Sequence, residues 1–181
     1  MPSSQMTASA VQALRDGKLA GTWTLDAARS QIRLRTKSMW GLVKVNGVFR
    51  RVAGTAAVTA GGDVTGTITV SAASIDTKNN KRDDHLRSAD FLHASQYPDI
   101  AFTVDRVTPA GRDVTVAGSL TVRGTTRLMS FPAAVSSLDG DELQLDAEVT
   151  VNRGDFGLTW NQMGMASMDN TLAIHAVFTR K

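Results

Sequence analysis

Along most of this chain apolar residues recur at every second position. Ile32 and Leu34 alternate with Arg33, Arg35 and Lys37; Val43, Val45, Gly47 and Phe49 share a parity in the next run. Ala56 and Val58 follow, and Val64, Gly66, Ile68 and Val70 then alternate with Thr65, Thr67 and Thr69. A two-residue period is what a strand produces when one face is dry and the other wet. The second half continues with Ile100, Phe102 and Val104, with Val114, Val116, Gly118 and Leu120, and with Met129, Phe131, Ala133 and Val135. Leu143, Leu145, Ala147, Val149 and Val151 come next, and Leu172, Ile174, Ala176 and Phe178 end the series. Gly61-Gly62-Asp63, Pro109-Ala110-Gly111 and Asp139-Gly140-Asp141 supply polar turns. Eight or more strands joined this way predict an all-β barrel or sandwich, and the lack of strand–helix alternation argues against a parallel sheet.

Three segments break the period. Thr7 to Leu19 has helical spacing through Val11, Leu14 and Lys18, with Gly17 or Gly21 as a stop, and predicts a short amphipathic helix covering one end of the domain. Residues 1–21 thus read as a helical extension and 22–181 as the barrel domain. Asp76 to Tyr97 is polar, charged and partly helical, and Asp155 to Asn170 is rich in Met, Gly and Trp. Insertions of that length in an economical barrel form lids or mouths.

The inward parity includes Gly47, Ala56, Gly66, Gly118, Ala133, Ala147 and Ala176. Small inward residues point either to a dry cavity or to barrel corners and tight strand crossings. Periodicity leaves both readings open.

A length of 181 residues suits one domain, and the absence of cysteine removes disulfides, thiolate nucleophiles and cysteine-ligated metal sites. Met1 to Leu19 lacks the uninterrupted apolar core of a secretory signal, and no window is apolar enough for a membrane-spanning helix, so the sequence reads as cytoplasmic. Net charge is +3 with a sequence pI near 9.6, and basic residues concentrate between Arg33 and Arg51. With aromatics at 6%, nucleic-acid binding is not expected. A homodimer, an anionic headgroup and transient contact with a membrane surface are each compatible with this charge.

Among chemically capable residues, Arg82, Asp83, Asp84 and His85 form the densest cluster. Asp83 with His85 could serve acid–base chemistry, whereas the structural alternative pairs Arg82 with Asp83 to anchor the lid over Leu86. His93 and His175 are not spaced to complete a metal motif, no serine sits in a nucleophile elbow, and Gly61-Gly62 with Gly66 lacks the context of a phosphate cradle. No catalytic residue, metal or cofactor is expected. Alternation places Arg33, Arg35 and Lys37 on the wet face.

From Val70 onward the chain carries Ser71-Ala72-Ala73-Ser74-Ile75-Asp76-Thr77, then Lys81-Arg82-Asp83-Asp84-His85-Leu86-Arg87-Ser88, Asp90-Phe91 and Tyr97-Pro98-Asp99-Ile100-Ala101-Phe102. Together with Trp23-Thr24-Leu25-Asp26, Val116 to Arg127, and Asn152-Arg153-Gly154-Asp155-Phe156-Gly157-Leu158, this strongly resembles the YceI-like family of polyisoprenoid-binding, lipocalin-like bacterial proteins. The likeness runs from about Thr22 to the end. It implies an extended eight-stranded antiparallel lipocalin-like barrel with an apolar pocket for an isoprenoid-type lipid, such as a polyprenyl chain, an isoprenoid quinone or a precursor. Arg29 stands where the family usually has histidine, and Lys37-Ser38 replaces a basic–His pair. A residue is also inserted within Met39 to Val43, so pocket length and headgroup contacts do not carry over from the family.

Inward parity and motif position select Trp40, Phe49, Ile68, Ile75, Leu86, Phe91, Phe102, Leu120, Met129, Phe156, Trp160, Met163 and Ile174 as ligand-binding candidates, and Arg82, Asp83 and His85 as lid anchors. The expected function is carriage or sequestration of the lipid. The rivals are a lipid-modifying enzyme using Asp83 and His85, and a stress-related protein with a filled barrel.

Overall fold

The computed structural model describes residues 10–38, 41–159 and 167–181. Eleven strand segments form one antiparallel sheet: β1 (Gly21–Leu25), β2 (Gln31–Ser38), β3 (Val43–Phe49), β4 (Val52–Val58), β5 (Val64–Ser71), β6 (Ile75–Asp76), β7 (Asp99–Ala110), β8 (Asp113–Val122), β9 (Thr125–Asp139), β10 (Glu142–Asn152) and β11 (Asp169–Arg180). Several of these are halves of broken strands. β1 and β2 both pair with β11, Trp23–Leu25 opposite Phe178–Arg180 and Gln31–Arg35 opposite Thr171–His175. On their other side they pair with β4 and β3, which in turn meet β5 and β6. Each broken pair therefore acts as one long strand. The result is a closed antiparallel barrel of eight strands in which sequence neighbours are spatial neighbours and β11 returns to β1 and β2.

The first break is held by a small ionic knot. Arg29 donates from Nε to Asp26 Oδ2 at 2.8 Å and from Nη2 to Glu142 Oε1 at 2.8 Å, fixing the β1–β2 corner to the start of β10. Arg29 pulls both carboxyls below their ordinary range, chiefly through these hydrogen bonds, and they in turn raise its own pKa.

β8 shows the two-residue period most clearly: Val114, Val116, Gly118, Leu120 and Val122 are buried and the residues between them are not. Two of the small inward residues have a different origin from a cavity. A Cβ on Gly118 would lie 2.0 Å from the carbonyl oxygen of Thr103, and one on Gly66 would lie 2.5 Å from that of Thr55. Both glycines serve close backbone approach, Gly118 beside the bulge between Val104 and Arg106 that bends β7. Val43 also departs from its expected inward position: it is 42% exposed, because it sits at the β2–β3 tip beyond the barrel wall.

One end of the barrel is plugged by a helix over residues 10–15, here α1, and the turns that follow. Val11, Leu14 and Leu19 are buried there, whereas Lys18 is exposed, so Leu19 and not Lys18 completes the apolar face. Leu14 and Leu19 pack with Trp23, whose indole N–H donates to the Leu19 carbonyl at 2.8 Å. Arg180 stacks over the Trp23 ring at 5.0 Å and donates to the Lys18 carbonyl at 2.7 Å.

The wall is not paired along its whole length. β9 and β10 hold register only from Asp139 opposite Glu142 to Ala134 opposite Asp146. Continuing it would set Pro132 against Glu148, and proline has no N–H to contribute to a ladder. Beyond that point Thr125–Ala133 pairs with β8 and Ala147–Asn152 with β11, leaving a slit in the half of the wall away from α1. Among the described residues no helix is long and apolar enough to cross a membrane.

Candidate functional site

Between the α1 plug and the opposite end the barrel encloses a cavity of about 390 Å³, within the usual size range of small-molecule pockets. Phe49 from β3, Ile68 from β5, Phe102 from β7, Leu120 from β8, Met129 from β9 and Ile174 from β11 all face it. Ile75 lines it from the start of β6, and Phe156 from the 3-10 turn Arg153–Phe156. Leu86 and Phe91 close it from above. Trp40, Trp160 and Met163 lie outside the described residues. Strand parity also places Ile32, Leu34 and Leu172 on the wall, and Phe102 meets Phe131 at 5.3 Å in a tilted ring contact. A smaller apolar void of about 120 Å³ lies under α1. Ile68, Val104, Val116 and Leu145 border both spaces and divide them.

The lid over the far end is built on helix α2 (Asn80–Arg87). Asn79 caps it by accepting from the Arg82 N–H at 3.0 Å. Asp83, buried on the inner side of the helix, accepts from the Thr77 N–H at 3.0 Å and the Thr77 hydroxyl at 2.5 Å. Arg82 donates from Nε to that same hydroxyl oxygen at 2.7 Å and from Nη2 to the Thr77 carbonyl at 2.8 Å. The expected direct Arg82–Asp83 pair is thus replaced by convergence of both on Thr77, because the two side chains leave adjacent helical positions in different directions. Arg87 adds bonds to the Ala73 and Ile75 carbonyls at 2.8 and 2.9 Å, clamping α2 to the segment that precedes it. With its carboxylate committed to Thr77, Asp83 does not line the cavity. His85 does: its Nε2 lies 3.0 Å from Asp90 Oδ2 and its ring meets Phe91 edge-on at 5.1 Å. Asp76, at the foot of the lid, accepts from the Lys78 N–H and from Arg50, and these bonds hold its pKa at about 2.

The cavity wall is apolar except toward the lid, where Thr36, Lys37, Arg82, His85, Arg153, Ser167 and Asn170 contribute. Lys37, read from alternation as a wet-face residue, is exposed and also borders this rim, since β2 leaves the wall just beyond it. Arg153 was not singled out from the sequence. It is 7% exposed, donates to the carbonyls of Ser167 at 3.0 Å and Leu158 at 2.7 Å, and lies 5.5 Å from the Phe91 ring centre. Burial lowers its pKa. Its place within the Asn152-Arg153-Gly154-Asp155-Phe156-Gly157-Leu158 motif is the sequence signal for it.

The YceI-like domain model matches residues 23–178. UPF0312 protein ECA1782 of Pectobacterium atrosepticum is 35% identical over 112 residues, and Protein YceI of Escherichia coli is 33% identical over the same length. Each alignment covers 59% of this chain and 58% of the relative, so the chain spans less than two thirds of either. Among solved structures, BcnA of Burkholderia cenocepacia superposes with a TM-score of 0.77 at 22% identity, covering 84% of this chain and 98% of that one. A polyisoprenoid binding domain from Saccharophagus degradans, implicated in plant cell wall breakdown, gives 0.72 at 14% identity, over 88% and 98%. The YceI protein of Campylobacter jejuni gives 0.69 at 25%, over 77% and 87%. By the extent of the domain match, this chain belongs to the YceI-like family.

Proposed function

We propose that this protein binds and carries, or sequesters, a long apolar lipid of isoprenoid type, a polyprenyl chain or an isoprenoid quinone, with the tail inside the barrel. The observation that carries the reading is the 390 Å³ apolar cavity, with a lid over one end and a helix plugging the barrel at the other. Each buried CH₂ contributes about 0.8 kcal/mol, so a few prenyl units outweigh an association cost on the order of 4–15 kcal/mol. The polyisoprenoid-binding description of the Saccharophagus domain, which shares the fold, is consistent with that ligand class.

The polar rim sets the direction of the ligand. Tail carbons have no polar partner to satisfy and occupy the wall of Phe49, Ile68, Phe102, Leu120 and Met129. A polar head belongs beside Lys37, His85 and Arg153, of which His85 and Arg153 are already oriented by hydrogen bonds. Phe156, Ile174, Ile75, Leu86 and Phe91 complete the enclosure in this reading. Asp83 has a structural task at Thr77, which removes the main support for acid–base chemistry by the Asp83–His85 pair.

The test is organic extraction of the purified native protein followed by mass spectrometry, with Leu120→Trp as the comparison, since the larger indole projects into the cavity across the path of a tail. A prenyl lipid in stoichiometric amount from the native chain, strongly reduced in Leu120→Trp, is expected. Repeated extracts without lipid, in a protein that also takes up no added geranylgeraniol, overturn the reading.

A further inference from the structure

At the lid end of the barrel, the β2–β3 hairpin projects past the wall with a combination of residues that the fold itself leaves uncompensated. Lys37 and Lys44 are direct cross-strand partners, and both are exposed. Like charges opposite one another destabilise an antiparallel pair. Among the described residues neither lysine has a carboxylate partner, in contrast to Arg35 two residues back, which pairs with Glu148, and Arg50, which pairs with Asp76. Beyond the lysines stand Leu42, 83% exposed, and Val43, 42% exposed. Gly41, at φ +90°, makes the turn with nothing within 4 Å of where a side chain would start. The tip thus joins an exposed leucine and valine to a facing lysine pair whose mutual repulsion the fold does not offset.

We infer that this hairpin is a docking element for an anionic lipid bilayer, the apolar tip entering the interface while Lys37 and Lys44 meet the headgroups. A bilayer satisfies both features at once: its interfacial region accepts leucine and valine, and its negative surface potential neutralises the lysines. A protein groove would take the apolar tip but offers no general reason for two facing lysines. The placement has a functional corollary that rests on the lipid-carrier reading. Lys37 and Thr36 border the cavity rim, so a docked tip brings the mouth to the membrane that supplies or receives the ligand. Docking itself does not depend on what the cavity holds.

The chain has no cysteine, so Leu42→Cys gives a single labelling site for an environment-sensitive dye such as NBD. In the full chain, the label is expected to brighten and shift to the blue with phosphatidylglycerol-rich vesicles, and to stay in water with phosphatidylcholine vesicles. Salt raised to about 0.5 M releases it, as screening requires. Lys44→Glu removes one attraction and adds one repulsion, and weakens vesicle binding about tenfold or more. Co-sedimentation of unlabelled Leu42→Asp, expected to fall by about the same factor, checks the result without a dye. A label that remains in water on anionic vesicles, equal binding to both vesicle types, or unchanged binding of Lys44→Glu and Leu42→Asp overturns the proposal. Uptake of geranylgeraniol in solution, without vesicles, is expected to be unchanged in both variants. Loss of that uptake in the native chain, with docking intact, would sink the carrier reading alone.

Discussion

At the α1 end, Leu14, Leu19 and Trp23 close the barrel as an ordinary hydrophobic core would, with Trp23 1% exposed and its one polar atom bonded to the Leu19 carbonyl. At the α2 end, closure depends on hydrogen bonds: Arg82, Asp83 and Arg87 tie a helix with one buried residue to the strand segment before it. The first kind of closure is apolar packing around a void of only about 120 Å³, and it resists opening because every displaced group loses contacts. The second is a set of discrete bonds over a cavity, with Leu86, Leu92 and Phe91 as its apolar underside. For the proposed carrier, the α2 end is the one expected to open, since opening free energies within a fold differ with local contact density.

The largest expected effect tests the plug. Trp23→Ala should cost about 3–5 kcal/mol of unfolding free energy, and Leu86→Ala in the lid about 1–2 kcal/mol, because Leu86 is only partly buried and already faces open space. Urea denaturation of the two variants measures both, and equal losses would erase the difference between the ends. Next comes Asp83→Ala, which strands the buried N–H and hydroxyl of Thr77 at a cost of about 1–3 kcal/mol. Hydrogen exchange should then speed up across residues 76–88 while the amides of β8 keep their protection. Uniform loss throughout the barrel would mean that the lid is not a separate unit.

Acid provides a smaller probe that touches both ends. Asp76 at the lid, held at about 2, and Asp26 and Glu142 at the β1–β2 corner, also lowered, are more acidic folded than unfolded. Depressed carboxyl groups stabilise the fold above their ordinary pKa, and that contribution disappears as pH falls through the folded value. Thermal stability should therefore fall progressively between about pH 4 and pH 2, with Asp76→Asn flattening the lower part of the curve. The smallest effect belongs to Arg29→His, which restores the residue the family usually carries. It loses the paired bonds to Glu142, so we expect a slight drop in melting temperature and a less acid-sensitive fold, since all three groups are solvent-exposed and their interaction is screened.

Much of the wall was legible in the chain. The parity of Phe49, Ile68, Phe102, Leu120, Met129 and Ile174 placed each on the inner face, because alternation is a local property of extended backbone. The reading of small residues was less secure: Gly66 and Gly118 answer to carbonyls on neighbouring strands, contacts that a sequence does not contain. Lys18 and Leu19 lie in the turns that follow α1, where helical periodicity no longer applies and cannot separate them. Arg153 escaped notice because a buried cation is recognised by what surrounds it, here carbonyls from Leu158 and Ser167 and the face of Phe91.

By itself the sequence determined that eight or more strands form, the dry face of most of them, the hairpin turns and the two long interruptions, all of which follow from spacing within one segment. Only the tertiary structure decided that broken strands merge into eight, that β11 closes on β1 and β2, that the β9–β10 ladder stops short of Pro132, and that the enclosed space is open and not filled. Those features depend on register and stagger between strands far apart in the chain, and these set a barrel's radius and therefore whether its side chains meet in the middle.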